Sequence, residues 1–291
     1  MNEISAGFLK GALDIHVHTG PDLVPRQLTD SEAASAAREA GMRGLLIKSH
    51  VSETASRSSS AAKAGGCEVY GALVLNGFVG GLNPYATRAA LALGAKVIFM
   101  PTFHAANHIR HHPRLYPELA MEGSTGISVL DAEGRLVPEV DAVLTAIVAH
   151  GATLATGHLA PEETAVLTRA ALAAGVPRVI LTHATSPLVS MTVEQMAEIA
   201  RAKGVFVEHC YVDLQGLGGH PADAAIIADA IRRVGPEKTI LSSDGGQGRN
   251  PLRPVEMLQR FAAVLLGQGI TSEEIAIMMR QTPARALGLA I

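Results

Sequence analysis

Short, almost continuously apolar segments alternate along the chain with longer segments of helical periodicity. Eight such apolar runs occur, and most of them consist of Val, Ile, Leu and Ala, which is typical of strands buried on both faces of a parallel sheet. They predict strands at residues 12–18, 44–50, 68–76, 95–102, 152–158, 178–183, 205–209 and 239–244.

The intervening segments carry the start and stop signals of helices. Thr29 and Glu32 form a capping-box pattern, Asn83-Pro84 is typical of a helix start, and Gly175 follows a helical segment that it would terminate. These signals predict helices at residues 29–42, 52–64, 84–93, 139–150, 161–174, 193–203, 222–234 and 254–266, with a final helix near 272–287.

Strict alternation of eight strands and helices predicts an α/β fold, a (β/α)8 barrel of the TIM type that forms one domain over residues 1–291. The rival is a doubly wound open sheet, which normally has a glycine-rich phosphate loop after its first strand. Here the first strand ends in His-Val-His-Thr-Gly instead. The long segment 103–138 after strand four is a loop insertion, and we expect it to act as an active-site lid.

Composition excludes several classes of protein. Of the 291 residues 48% are hydrophobic and the net charge is −3, with no basic stripe, so a disordered chain and a nucleic-acid-binding protein are excluded. No apolar run reaches the roughly 18 residues that a membrane span needs. The N-terminal segment lacks the apolar core of a secretory signal and there are two cysteines, so we expect a cytoplasmic protein with reduced thiols.

The twelve histidines are concentrated at the predicted strand ends. In a TIM barrel the carboxyl ends of the strands form the active site. Because side chains alternate along a strand, His16 and His18 should face the same way, with Ile15 and Val17 opposite, and both imidazoles could reach one ion. Only one of Glu208 and His209 should face inward, for the same reason. Zinc commonly binds imidazole nitrogens, and catalytic zinc sites keep an open position for water.

The arrangement resembles the amidohydrolase superfamily of metal-dependent hydrolases. The matching residues are the His-Val-His motif of strand one, one residue at the end of each of strands five and six, and the aspartate after strand eight: His16, His18, His158, His183 and Asp244. The resemblance implies a distorted barrel that holds one or two divalent metal ions with these side chains. Zinc is the expected ion, with manganese or iron as alternatives. It also implies hydrolysis by water activated on the metal.

The chain departs from this pattern at strand four, which ends in Phe-Met-Pro-Thr where two-metal members commonly have a carboxylated lysine or a glutamate. Lys48, at the end of strand two, shares its orientation with Leu46 and is a candidate replacement. A carbamate on Lys48 could bridge two ions, or its free ammonium could neutralise a substrate anion. The simpler arrangement has a single ion, with His183 polarising water and the other four side chains as ligands.

Four further residues are candidate substrate contacts. His50 lies at a strand end, His104 and Arg110 lie in the insertion, and Arg249 follows Asp244 in a glycine-rich loop. An arginine above a metal site is suited to bind a carboxylate with its planar fork. The run of four histidines between positions 104 and 112 has two interpretations, a second metal site or a solvated lid.

The predicted activity is metal-dependent hydrolysis of an amide, cyclic amide, ester or lactone in a small, acidic molecule. Asp244 is the predicted general base and His183 assists it. The low aromatic content, 3% with no Trp, argues against a substrate bound by extensive ring stacking. Three alternatives remain: decarboxylation without water consumption at the same site, phosphate ester hydrolysis, and an inactive metal-binding barrel. The apolar C-terminal stretch 284–291 could mediate a homo-oligomer.

Overall fold

Eight parallel strands form a nearly closed barrel in the order of the chain, which confirms the (β/α)8 prediction. The structure is a computed structural model and describes residues 7–112, 117–120, 123–216 and 220–291. The strands are β1 (Leu13–Val17), β2 (Gly44–Ile47), β3 (Glu68–Val74), β4 (Val97–Phe99), β5 (Thr153–Ala155), β6 (Arg178–Leu181), β7 (Val205–Cys210) and β8 (Thr239–Ser242).

Helices alternate with the strands, and several begin where the sequence signals place them. Thr29 accepts a hydrogen bond from the Glu32 amide, and the Glu32 carboxylate accepts one from the Thr29 amide, so the predicted capping box is present. The helices are α1 (Asp30–Glu39), α2 (Ala55–Gly65), α3 (Pro84–Ala92), α4 (Ala106–His111), α5 (Pro138–Ala149), α6 (Pro161–Ala173), α7 (Val193–Ala200), α8 (Tyr211–Leu214), α9 (Ala224–Val234), α10 (Pro254–Gly267), α11 (Ser272–Ala276) and α12 (Thr282–Ala286).

The inside of the barrel is filled by apolar side chains from all eight strands together with the C-terminal segment. Phe99 is among the largest fully buried side chains, and Ala284, Ala286 and Leu287 pack into the same cluster. The final helix is not continuous as predicted, because a π-helical stretch, Ile277–Gln281, separates α11 from α12. The inside of the barrel is therefore a packed apolar core. Polar side chains that point inward are found at the carboxyl ends of the strands.

The barrel closes between β1 and β8 mainly through the loops that follow these strands. Within the described residues, Val17 and Gly245 form the one isolated parallel bridge between the two strand ends, and the His18 amide donates to the Gly245 carbonyl at 2.8 Å. Farther along, the Gln27 amide donates to the Gly246 carbonyl at 3.0 Å. The loop after β1 is thus held directly against the loop that contains Asp244.

A β-bulge in β1 changes the predicted orientation of one residue. The pairing of β1 with β2 shifts register between Asp14 and Val17. Val17 packs in the outer layer as expected, but Ile15 lies in the barrel interior, so its predicted orientation was wrong. The bulge inserts an extra residue that turns the following side chains, and His16 therefore points inward directly after another inward residue.

The insertion after β4 contains local structure. It includes α4, a 3₁₀ turn at Pro117–Leu119 and a hairpin-like bridge between Leu130 and Leu136. Residues 113–116 and 121–122 of the predicted lid lie outside the described residues. A lid function for the insertion stays a prediction. Among the described residues, each helix is too short or too polar to cross a lipid bilayer.

Gly246 tests the closure between β1 and β8. A Cβ at Gly246 would lie 1.8 Å from the His18 carbonyl oxygen, and the residue has φ +105°. Gly94 has a similar φ, +99°, but open space around it. We expect Gly94→Ala to lower the free energy of unfolding by about 1–2 kcal/mol and Gly246→Ala by roughly twice that or more. Urea unfolding measures both, and equal losses would show that the contact with His18 does not matter.

Candidate active site

Asp244 connects three imidazoles at the carboxyl end of the barrel. Its Oδ1 lies 2.9 Å from His18 Nε2 and 3.3 Å from His16 Nε2, and its Oδ2 lies 3.5 Å from His183 Nε2. His158 joins the group from β5, with its ring centroid 5.5 Å from that of His183. All five side chains are buried. The structure therefore brings together the five residues that the strand ends predicted.

The donor set around Asp244 fits a divalent metal ion. The ligand atoms of His16, His18 and Asp244 lie within 4.8 Å of one another. Ligands at 2.0–2.1 Å around a tetrahedral zinc are about 3.3 Å apart, close to the two distances between Asp244 Oδ1 and these imidazoles. Asp244 Oδ1 and His18 Nδ1 are buried polar atoms without a hydrogen-bond partner among the described residues. A cation would satisfy the charge that this carboxylate brings into the protein.

The backbone is locally unusual at two of these residues. His183 has φ +50° and Asp244 has φ +46°, and in the described part of the chain only Ser190 shares this left-handed conformation among non-glycine residues. Such conformations cost of order 1–3 kcal/mol and persist where the surrounding structure enforces them. In both cases the strand has just ended, so the turn in the backbone aims the side chain across the barrel mouth.

A second layer of polar residues orients the imidazoles. His16 Nδ1 lies 3.2 Å from both oxygens of Glu208, and His183 Nδ1 lies 3.3 Å from Asp213 Oδ2. His158 Nδ1 instead contacts Nδ1 of His108 at 2.9 Å. A partner on one ring nitrogen fixes the tautomer and leaves the other nitrogen available to a metal ion. The arrangement directs Nε2 of His16 and His183 toward Asp244.

Burial and nearby charges separate the histidines into two groups. Burial is the largest cause that holds the pKa of His16, His18 and His158 well below the usual range, so these imidazoles are neutral, as metal ligands must be. For His183, burial alone would lower the pKa, but the carboxylates of Asp213 and Asp244 together raise it above its ordinary value. His183 therefore differs electrostatically from the other histidines.

Lys48 is completely buried beside His16. Its Nζ lies 2.8 Å from His16 Nε2 and 4.8 Å from the centre of the Phe99 ring. Burial lowers the pKa of Lys48, although the carboxylates of Asp244 and Glu208 oppose this effect. Phe99 occupies the inward position at the end of β4, and Lys48 extends over it. The Lys48 side chain therefore reaches from the end of β2 to the end of β4.

The pocket above these residues is small and has mixed walls. Its volume is about 40 Å³. Apolar side chains include Val24, Phe103, Leu119, Leu188 and Val212, whereas the polar lining includes His50, Arg26 and Gln247. His50 stacks on His18, with ring centroids 4.6 Å apart, and its Nδ1 contacts Thr102 Oγ1 at 2.9 Å. Of the four predicted substrate contacts, His50 is the one that lines this pocket.

The other three predicted substrate contacts lie elsewhere. His104 Nδ1 accepts the Gly77 amide at 2.8 Å, and its Nε2 contacts the Leu119 carbonyl oxygen at 2.6 Å, so both nitrogens are engaged in holding the insertion. Arg110 is exposed on α4. The Arg249 side chain is 77% exposed and pairs with Glu118 at 3.7 Å. The described histidines of the insertion form no ligand group of their own.

Sequence reasoning did not single out Arg26 or Asp213, and it included His108 only in the histidine run of the insertion. It left open which of Glu208 and His209 faces inward. Alternation along β7 could have selected Glu208, since it shares a face with Phe206 of the barrel interior, whereas His209 contacts Thr185. Arg26, Asp213 and His108 lie in loops or short helices, where the sequence carries no periodic signal that fixes orientation.

Residues 11–208 match the model of DUF6282, a family of unknown function. The chain belongs to this family. No curated protein matches the chain in sequence. The matched range of the DUF6282 protein includes β1 to β6 and most of β7, with His16, His18, His158 and His183, but ends before Asp244.

Solved structures with the same barrel include several enzymes of the amidohydrolase superfamily. An amidohydrolase from Pseudomonas aeruginosa is 14% identical, with 98% of this chain and 97% of that chain covered and a TM-score of 0.63. An organophosphorus hydrolase from Deinococcus radiodurans is 17% identical (98% and 94% covered, TM-score 0.58). A 2,6-dihydroxybenzoate decarboxylase is 12% identical (96% and 100% covered, TM-score 0.56). These likenesses confirm the barrel fold for this DUF6282 protein.

Glu208 provides a test of how the imidazoles are oriented. Glu208→Gln removes the carboxylate that accepts the His16 Nδ1 proton, so we expect zinc affinity to fall by about 10–100-fold. Competition with a chromogenic chelator measures this affinity. Glu198→Gln, an exposed change on α7, is the matched control and should have no effect. Zinc affinity equal to that of the unmodified protein would contradict an orienting role for Glu208.

Proposed function

We propose that this protein is a metal-dependent hydrolase that cleaves an amide, cyclic amide, ester or lactone bond in a small, acidic molecule. The observation that carries the proposal is that the two oxygens of Asp244 have different neighbours. Oδ1 faces the imidazoles of His16 and His18, while Oδ2 faces His183. One carboxylate can therefore contribute to an ion site and to proton transfer.

The residues proposed to hold one divalent ion are His16, His18, His158 and Asp244. A bound ion of this kind polarises a carbonyl group and makes water reactive near neutral pH. Zinc is the ion that best suits three imidazoles and one carboxylate, and manganese and iron are alternatives. The neutral imidazoles and the buried, unpartnered Asp244 Oδ1 support this assignment.

Proton movement is assigned to Asp244 and His183. Asp244 Oδ2 accepts the proton of the attacking water and later donates it to the leaving nitrogen or oxygen. His183 lies between Asp244 and Asp213, so its Nε2 stabilises the negative charge that develops on the substrate oxygen while Asp213 holds the ring through Nδ1. General acid–base catalysis of this kind typically contributes 10²–10⁴-fold to a rate.

Decarboxylation is the second candidate, because one of the solved structures with this barrel is a decarboxylase. The same donors could polarise a substrate without consuming water. The two reactions differ in product: hydrolysis incorporates oxygen from solvent, whereas decarboxylation releases carbon dioxide. Incubation in ¹⁸O-water with mass analysis of the products distinguishes them directly.

Asp244→Ala should reduce turnover by about 10²–10⁴-fold, because it removes the proton acceptor. Three imidazoles remain, so most of the bound zinc should be retained. A panel of small lactones, esters and amides bearing a carboxylate measures turnover, and elemental analysis measures zinc. The control is Asp229→Asn, because this side chain on α9 is half-exposed and remote from the site. Unchanged turnover in Asp244→Ala would refute the assignment of the base, and a protein that takes up no zinc, manganese or iron would favour an inactive barrel.

The chemical state of Lys48 determines whether the site could hold one divalent ion or two. A charged ammonium 2.8 Å from His16 Nε2 would oppose a cation there, so Lys48 must be neutral or carboxylated when an ion is bound. We propose the neutral amine and one ion. Elemental analysis should then give one zinc per chain, unaffected by bicarbonate. Two ions per chain, together with a ¹³C-carbamate signal after labelling with bicarbonate, would contradict this proposal and establish Lys48 as the bridging ligand.

A further inference from the structure

Arg26 is a buried cation at the wall of the pocket that the mechanism above does not use. It lies in the loop after β1, and its side chain is only 4% exposed. Arg26 lines the same cavity as Lys48, His18 and Asp244. Arginine is rarely buried without a specific partner, since removing its charge from water is costly. Its position beside the candidate reacting groups needs a functional explanation.

One edge of the guanidinium is already occupied and the other is not. Nε and Nη2 both contact Asp22 Oδ2, at 2.8 and 2.7 Å. The second oxygen of Asp22 accepts the Leu23 amide at 2.7 Å. Within the described residues, Nη1 of Arg26 has no hydrogen-bond acceptor. Asp22 therefore fixes the plane of the guanidinium and leaves donors available to a ligand.

The loop that carries Arg26 is fixed relative to Asp244. Arg26 and Gln247 form an antiparallel bridge. On either side of it, the Gln27 amide donates to the Gly246 carbonyl at 3.0 Å and the Gly248 amide donates to the Pro25 carbonyl at 2.9 Å. The backbone thus holds the arginine and the proposed base in one rigid frame, which is the condition for positioning one end of a substrate against its reacting end.

We propose that Arg26 binds a carboxylate of the substrate and thereby restricts this pocket to small carboxylic acids. The proposal deepens the proposed function, on which it rests, by naming the substrate class and the residue that selects it. A planar carboxylate matches the free guanidinium edge. The apolar wall formed by Val24, Phe103 and Val212 suits the hydrocarbon part of such an acid.

The structure favours a carboxylate over a phosphate ester. A phosphate dianion requires several donors around three oxygens. Apart from the histidines, the basic side chains that line this pocket among the described residues are Arg26 and the buried Lys48, and the proposed function makes Lys48 a neutral amine. The small cavity, about 40 Å³ in the form seen here, favours a short acid. Drug-sized ligand pockets are commonly about 300–1,000 Å³.

The test compares butyrate with its neutral analogue butyramide, and with inorganic phosphate, by NMR titration of zinc-loaded and of metal-free protein. We expect butyrate to bind roughly 10–100-fold more tightly than butyramide. Arg26→Gln should bring this ratio close to one while leaving the affinity for butyramide unchanged. A ratio close to one is expected for metal-free protein, where no ion can bind the carboxylate. In zinc-loaded protein any contact of butyrate with the ion is retained in Arg26→Gln, so the ratio should fall by the same factor there.

Two further variants separate recognition from stability. Asp22→Asn combined with Arg26→Gln replaces both charges, so no unpaired carboxylate remains to unfold the loop, and it should lose the preference equally. Arg233→Gln is the matched control, because Arg233 forms the same kind of i,i+4 pair, with Asp229, on the solvent-facing side of helix α9. It should keep the preference of the unmodified protein.

The proposal is overturned if, in metal-free protein, the unmodified chain does not prefer butyrate, the preference survives in both Arg26 variants, or phosphate binds more tightly than butyrate. Elemental analysis of the same samples reports metal uptake separately. A protein that takes up no metal but loses its preference for butyrate in Arg26→Gln would disprove the proposed hydrolase and leave the assignment of Arg26 standing.

Discussion

The contact between the β1 and β8 ends is the constraint on which the candidate site depends. Three of the four residues proposed to share an ion, His16, His18 and Asp244, lie at the ends of the first and the last strand of the barrel. These strands are far apart in sequence and meet only where the barrel closes. The hydrogen bond from the His18 amide to the Gly245 carbonyl fixes this closure at the residues next to the site. A carboxylate and two imidazoles at ligand distance therefore result from barrel closure rather than from any local motif.

This closure buries several carboxylates, and the surrounding residues offset the cost of burying their charge. Buried carboxylates are tolerated only when they are paired or hydrogen-bonded. Glu208 is satisfied by His16 and by the Ser242 hydroxyl at 2.8 Å, and Asp213 is satisfied by His183. Burial raises the pKa of Glu208. Asp244 differs, since its Oδ1 has imidazole neighbours but no described hydrogen-bond donor, and this incomplete satisfaction is what a metal ion would complete.

The sequence predicted the barrel, and it predicted Asp244 and the four histidines around it, because both predictions depend on periodicity. A strand buried on both faces is visible as an apolar run, and its last residue necessarily lies at the carboxyl edge. The sequence could not show the β-bulge that lets Ile15 and His16 both point inward, because a bulge depends on pairing with β2. The sequence also could not place loop side chains. Arg110 and Arg249 were predicted to contact substrate, but both are exposed to solvent. Arg26, which was not predicted, lines the pocket. Loop orientation is set by tertiary contacts, such as the pairing of residues 25–27 with 246–248.

The three oriented imidazoles do not have equivalent partners, and this difference bears on how the site would work. Glu208 and Asp213 are carboxylates, and such partners increase the basicity of the ring they hold. His158 is paired instead with His108, an imidazole whose pKa burial and the neighbouring His112 and His104 lower to about 3, so it stays neutral and adds no negative charge. His158 is therefore the weaker donor of the set. His108 lies on α4, whose Asn107 also donates to the His158 carbonyl at 3.1 Å, so the insertion after β4 is attached to the ligand whose bond to an ion would be the easiest to alter.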